Sequence, residues 1–92
     1  MSFRLSEAEI KERMKEVKGW ELREGRLRKE FRFKDFNGSV EFVNRVRTVA
    51  EEMNHHPDIC IYYNRVVVEL FTHSAHGITE LDFKLAKRID QL

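Results

Sequence analysis

The only proline in the chain, Pro57, follows two adjacent histidines and separates a helical pattern from a β pattern, in the stretch AEEMNHHPDICIYYNRVVVEL at residues 50–70. On its N-terminal side Val43, Val46, Val49, Ala50 and Met53 recur at helical spacing, with Arg45, Arg47, Glu51 and Glu52 off the stripe. On its C-terminal side, residues 59–63 and 66–72 are β-branched and aromatic. A proline disfavours helical dihedrals at the residue before it. The spacing therefore predicts an amphipathic helix of about four turns from Val40, ending near Asn54 or His55. Asn64 and Arg65 are expected to turn the following hairpin.

The flanking segments repeat the theme. Ser6 and Glu9 have capping-box spacing, Ile10, Met14 and Val17 follow at helical intervals, and Gly19 suits the left-handed position beyond a helix end. Residues 20–23 and 26–34 flank Glu24-Gly25, a second hairpin signal. In its second arm Leu27, Phe31 and Phe33 share one face, while Arg26, Arg28, Arg32 and Lys34 share the other. Asp35, Asn37 and Ser39 are candidate caps for the central helix. Residues 73–78 read as a loop. Thr79 then caps a last helix, with Asp82 at the capping-box position and Leu81, Leu85 and Ile89 on one face. The order is α-β-β-α-β-β-α, and the expected fold is α+β: a four-stranded antiparallel sheet with helices on one face, one domain over residues 1–92.

Charge and cysteine usage narrow the function classes. A formal net charge of +1 gives no whole-molecule field for nucleic acid or membrane. The basic residues of the first hairpin alternate with Phe31 and Phe33, so they lie on the opposite face and form no joint nucleic-acid platform. Cys60 is the single cysteine, which precludes an internal disulfide and fits a reducing compartment. Residues 1–17 lack the apolar core of a signal peptide, and no apolar run approaches the roughly 20 residues of a membrane span. The expected location is cytoplasmic.

Histidine changes charge near neutral pH, so His55 and His56 are candidates for proton transfer. On a regular strand the two would point to opposite faces; the bend at Pro57 allows both to face one place. A loop at Asn64-Arg65 would set His56 opposite His73, gathering three imidazoles at one end of the sheet. The same three could be solvated surface groups, and both readings stand on spacing alone. Zinc accepts three histidines, with Glu51 or Asp82 as outer partners. No H-x-x-x-H or H-x-H spacing is present, however, and Cys60 lies outside any ligand spacing. Metal ranks below acid–base chemistry.

One ordered set is more specific than the doublet. Glu51, His55, His56, Pro57, Tyr63, His73 and Asp82, with the landmarks GW (Gly19, Trp20), FKDF (residues 33–36), YNRV and THSAHGIT, resemble the pterin-4a-carbinolamine dehydratases along the whole chain. The resemblance implies dehydration of a 4a-hydroxytetrahydropterin to the quinonoid dihydropterin, a hydro-lyase reaction that recycles the cofactor of aromatic amino-acid hydroxylases. It implies His55, His56 and His73 as catalytic, Glu51 and Asp82 as groups orienting the imidazoles, and no metal or organic cofactor. It also implies contacts to the pterin from Asn54 and Pro57 and, through strand-end backbone groups, from Thr72, His73 and Ser74, with Trp20 closing the pocket. A homodimer or homotetramer is expected, and a wide apolar stripe with Phe42 beside it fits a central helix burying more than one face, unless Phe42 completes the monomer core.

Two positions depart from the family pattern: Asn54 stands where many members carry Asp, and His76 where a small residue is common. The alternative function is that of an oligomeric interaction protein that binds a partner through its helices, as the animal members do for a homeodomain transcription factor, with pterin dehydration secondary or absent.

Overall fold

Two hairpins dock through their second strands to make one antiparallel sheet of order β1-β2-β4-β3. This is seen in a computed structural model, which describes residues 3–92; Met1 and Ser2, the start of the segment read for a signal peptide, lie outside the described residues. The elements are α1 (Glu7–Arg13), β1 (Glu21–Arg23), β2 (Arg26–Arg32), α2 (Phe36–Met53), β3 (Asp58–Tyr62), β4 (Arg65–Leu70) and α3 (Glu80–Asp90). The sequence predicts this order and the α+β class.

Strand periodicity divides the sheet into two faces. Leu27, Val66, Val68 and Leu70 point inward and are fully buried in one core with Val46, Val49, Phe83, Leu85 and Ile89 of α2 and α3. Each such side chain contributes about 1.5–3 kcal/mol relative to exposure. On the open face the cations are paired: Arg26 with Asp58, Arg28 with Glu21 and Glu69, and Arg65 with Glu30. Phe42 is 7% exposed and its ring centroid lies 4.6 Å from Phe31 and 5.0 Å from Phe33. The width of the apolar stripe is thus used within the monomer core.

Several boundaries differ from expectation, each for a local reason. The first helix ends at Arg13 and tightens into a 3-10 turn over Met14–Glu16, a common way to close a helix end. Gly19, at φ +85°, comes after that turn. Helix α2 begins at Phe36 rather than Val40 because Asp35 is its cap, accepting from the Gly38 N–H at 2.9 Å. Gly38 permits this start: a Cβ there would lie 3.1 Å from Phe33 Cβ. Lys29 falls on the inner face of β2 and escapes to its rim, with Nζ 2.7 Å from Asp90 Oδ1.

The second hairpin turns at Tyr63-Asn64, not Asn64-Arg65, with Tyr63 at φ 52° and Tyr62 facing Arg65. The Tyr63 carbonyl is held by Ser39 Oγ at 2.7 Å and the Asn64 carbonyl by the Phe33 N–H at 2.8 Å. The β3–β4 ladder therefore extrapolates to His56 opposite Phe71, two residues from the expected partner His73. An even slip leaves every side chain on its expected face.

Candidate active site

Four element ends meet at one end of the sheet: the C-terminus of α2, the entry to β3, the exit of β4 and the N-terminus of α3. A cleft of ≈230 Å³ there is lined by Asn54, His55, His56, Phe71, Thr72, His73 and Ser74. The three histidines converge despite the altered register, because the chain beyond Leu70 turns back before α3. Thr72 bridges to Gly77, with the Thr72 N–H donating to the Gly77 carbonyl at 3.0 Å. A 3-10 turn, His73–Ala75, fills the loop between them.

Asn54 directs the doublet. It adopts the left-handed conformation (φ 50°, ψ 42°), and the His55 N–H donates to the Ala50 carbonyl at 3.1 Å while the Asn54 N–H reaches Glu51. That is a Schellman end, for which asparagine is the best residue after glycine. The reversal sends His55 inward and leaves His56 outside. Asn54 thereby explains its own identity at a position where a carboxylate was the family expectation.

His55 is 8% exposed, and its Nε2 lies 2.6 Å from Oδ1 of Asp82, which is fully buried. The other Asp82 oxygen, Oδ2, accepts from the Thr72 hydroxyl at 2.8 Å and the Thr79 N–H at 2.9 Å. Thr79 Oγ1 is 2.8 Å from Thr72 Oγ1 and accepts from the Leu81 N–H at 3.2 Å. Asp82 thus closes the capping box of α3 and holds the imidazole with the same carboxylate. His56, by contrast, is exposed and pairs with the exposed Glu51, Nε2 to Oε2 2.5 Å. The exposed His73 ring packs edge-on to Phe71 at a centroid distance of 5.2 Å.

The remaining expectations separate cleanly. Pro57 is half-buried at the entry to β3 and is not among the cleft-lining residues. Thr72 lines the cleft, but its peptide N–H and carbonyl are committed to Gly77 and Ala75, and its hydroxyl turns to Asp82. The strand-end N–H groups outside these bonds belong to His73 and Ser74. Trp20 is placed elsewhere: it is buried against Phe31, and its Nε1–H donates to Asp90 Oδ2 at 2.9 Å. Asp90 and Asp82 lie on one helix, about 12 Å apart along its axis. His76 is the exposed left-handed residue that ends the 3-10 turn, at φ 55°. Among the described residues no three His, Cys, Asp or Glu side chains cluster to hold a metal ion, and no helix is long and apolar enough to cross a membrane. Thr79 and the Thr72 hydroxyl were missed as parts of the site. The available signal was Asp82 itself, which the sequence marks both as a cap and as a partner of histidine.

Residues 3–92 match the family model described as pterin 4 alpha carbinolamine dehydratase. A protein of Sulfolobus acidocaldarius, named provisionally as a pterin-4-alpha-carbinolamine dehydratase, is 54% identical over 98% of this chain and 99% of its own. A similarly named protein of Sulfurisphaera tokodaii is 53% identical over 97% of this chain and 96% of its own. The crystal structure of a transcriptional coactivator/pterin dehydratase from Brucella melitensis superposes with a TM-score of 0.90 at 38% identity, covering 96% of both chains. A pterin dehydratase-like protein identified as a RuBisCO assembly factor shares the fold alone, at a TM-score of 0.62 and 23% identity, over 78% of this chain and 83% of its own.

Proposed function

The chain belongs to the pterin-4-alpha-carbinolamine dehydratase family, and on that premise we propose that it removes water from a 4a-hydroxytetrahydropterin by histidine acid–base catalysis, giving the quinonoid dihydropterin as a hydro-lyase. The observation that carries this reading is the convergence of His55, His56 and His73 on one cleft, with His55 held by the buried Asp82. The C4a–O bond breaks as the neighbouring ring nitrogen supplies an electron pair to form the C=N bond. One imidazolium gives its proton to the departing hydroxyl, which leaves as water. A neutral imidazole takes the proton from the ring nitrogen, so charge and atoms balance. Each placed proton-transfer group is worth about 10²–10⁴ in rate. Asn54, His73 and Ser74 line the cleft, and in this reading the Asn54 side chain and the peptide N–H groups of His73 and Ser74 bond the pterin edge.

The working form is proposed to be a homodimer or homotetramer in the cytoplasm. Ile61, Tyr62 and Tyr63, on and beside edge strand β3, leave apolar surface exposed that a second copy would cover, and the unpaired Cys60 suits a reducing compartment. Light scattering at micromolar concentration giving the mass of one chain would contradict the oligomer.

The enzyme claim is tested by following dehydration of a 4a-hydroxytetrahydropterin with wild type, His55→Ala, His56→Ala and His73→Ala. Wild type should accelerate the reaction above buffer, and each variant should lose about 10²–10⁴ of that acceleration if its imidazole moves a proton. Folded wild type with no acceleration would sink the proposal. Activity indifferent to chelators would separate acid–base from metal catalysis.

A further inference from the structure

The hydroxyls around Asp82 can be oriented in only one way. The carboxylate accepts at Oδ2, so the single hydroxyl proton of Thr72 points to Asp82. The contact between Thr72 Oγ1 and Thr79 Oγ1, 2.8 Å, then requires the Thr79 hydroxyl to donate to Thr72. Thr79 Oγ1 in turn accepts from the Leu81 N–H. The result is a directional chain: Leu81 N–H to Thr79, Thr79 O–H to Thr72, Thr72 O–H to Asp82, with Asp82 Oδ1 left to accept from His55 Nε2–H. All four residues are at most 8% exposed, where such chains polarise one another.

We infer that Thr72 and Thr79 are positioning residues that lock neutral His55 as its Nε2–H tautomer, making Nδ1 the atom that exchanges protons with substrate. Resting on the dehydratase reading, this deepens it by naming the reacting atom. Nδ1 has no protein partner among the described residues, and no buried side-chain nitrogen or oxygen there lacks a partner, so Nδ1 reaches solvent on the cleft side. Thr72, to which the family resemblance gives a backbone contact with the pterin, acts here through its side chain on the far side of the imidazole.

The test reads the imidazole directly. Nitrogen-15 spectra of substrate-free wild type should show neutral His55 protonated at Nε2; protonation at Nδ1 would overturn the inference, whatever the protein does to pterins. Thr72→Val removes the donor while nearly keeping the shape. It should mix the two tautomers and lower kcat about 10-fold with KM changed less than about 2-fold, since loss of a hydrogen bond to a charged group is of that size. Thr72→Ser restores the hydroxyl and should bring kcat and the spectrum back to within about 2-fold of wild type. Thr79→Ser should likewise preserve both, since it keeps the cap and the donor. A folded Thr72→Val protein with the wild-type tautomer and kcat would overturn the positioning role. An inactive wild type with the expected spectrum would refute only the dehydratase reading.

Discussion

His55 and His56 are neighbours in sequence and opposites in setting. One is buried against a carboxylate that also caps a helix; the other is exposed beside an exposed carboxylate. Both pairs are short, yet the same contact carries different weight in the two places. Around Asp82, each oxygen has protein donors and no water to replace them, so loss of one member strands the rest. Around Glu51, water substitutes at once, and the pair holds little beyond the ring's average direction.

The two histidine settings differ most at Asp82. Asp82→Ala leaves His55, the Thr72 hydroxyl and the Thr79 N–H without their acceptor, and should cost about 3–5 kcal/mol. That corresponds to a fall in Tm of more than about 10 °C for a chain of this size, measured by thermal melts followed by circular dichroism. A melt within about 3 °C of wild type would mean that the buried pair is no more structural than the exposed one.

Asn54 sets the two rings apart, and its substitution tests the reversal itself. Asn54→Ala should cost about 1 kcal/mol, or about 4–8 °C in Tm, because alanine resists the left-handed conformation found there. Asn54→Gly should melt close to wild type. An alanine variant as stable as the glycine variant would show that the Schellman end is not what turns the chain.

On the exposed side, Glu51→Gln should leave Tm within about 2 °C and reduce turnover less than about 10-fold. A larger loss would raise Glu51 to the standing of Asp82.

The smallest effect is expected two residues from Asp82, at Glu80, whose carboxyl is held below the ordinary value of 4.5 chiefly by the Arg13 side chain. A lowered folded pKa gives stability that is present above the unfolded value and lost as pH falls through the folded one. The difference in Tm between wild type and Glu80→Gln should therefore be slight at pH 7 and disappear on acidification below about 4.5. Persistence of the gap in acid would assign it to packing rather than charge.

The parts of this contrast visible in the sequence were those fixed by local rules. Both capping boxes form as their spacing indicates, and the proline rule brings α2 to its end at Asn54. Strand alternation gives the correct faces. It could not give the register of the second hairpin, because a shift by two residues preserves every face, and the turn was decided by distant bonds from Ser39 and Phe33. The start of α2 lies four residues before Val40 because Asp35 is the cap used, and local rules do not choose among the candidate caps Asp35, Asn37 and Ser39. Trp20 carries no local mark of its attachment to Asp90, 70 residues away. Nor does a threonine at a strand end reveal whether its hydroxyl or its peptide faces a ligand.

One carboxylate shared between a helix cap and an imidazole also sets a clock. The first turn of α3 cannot fray without releasing His55, so the lifetime of the oriented ring is at most the lifetime of that turn. Two backbone amides bonded within the network, those of Thr79 and Leu81, report the free energy of that opening through their exchange with deuterated solvent. Their protection measures the fraction of time the site is competent, with no pterin in the tube.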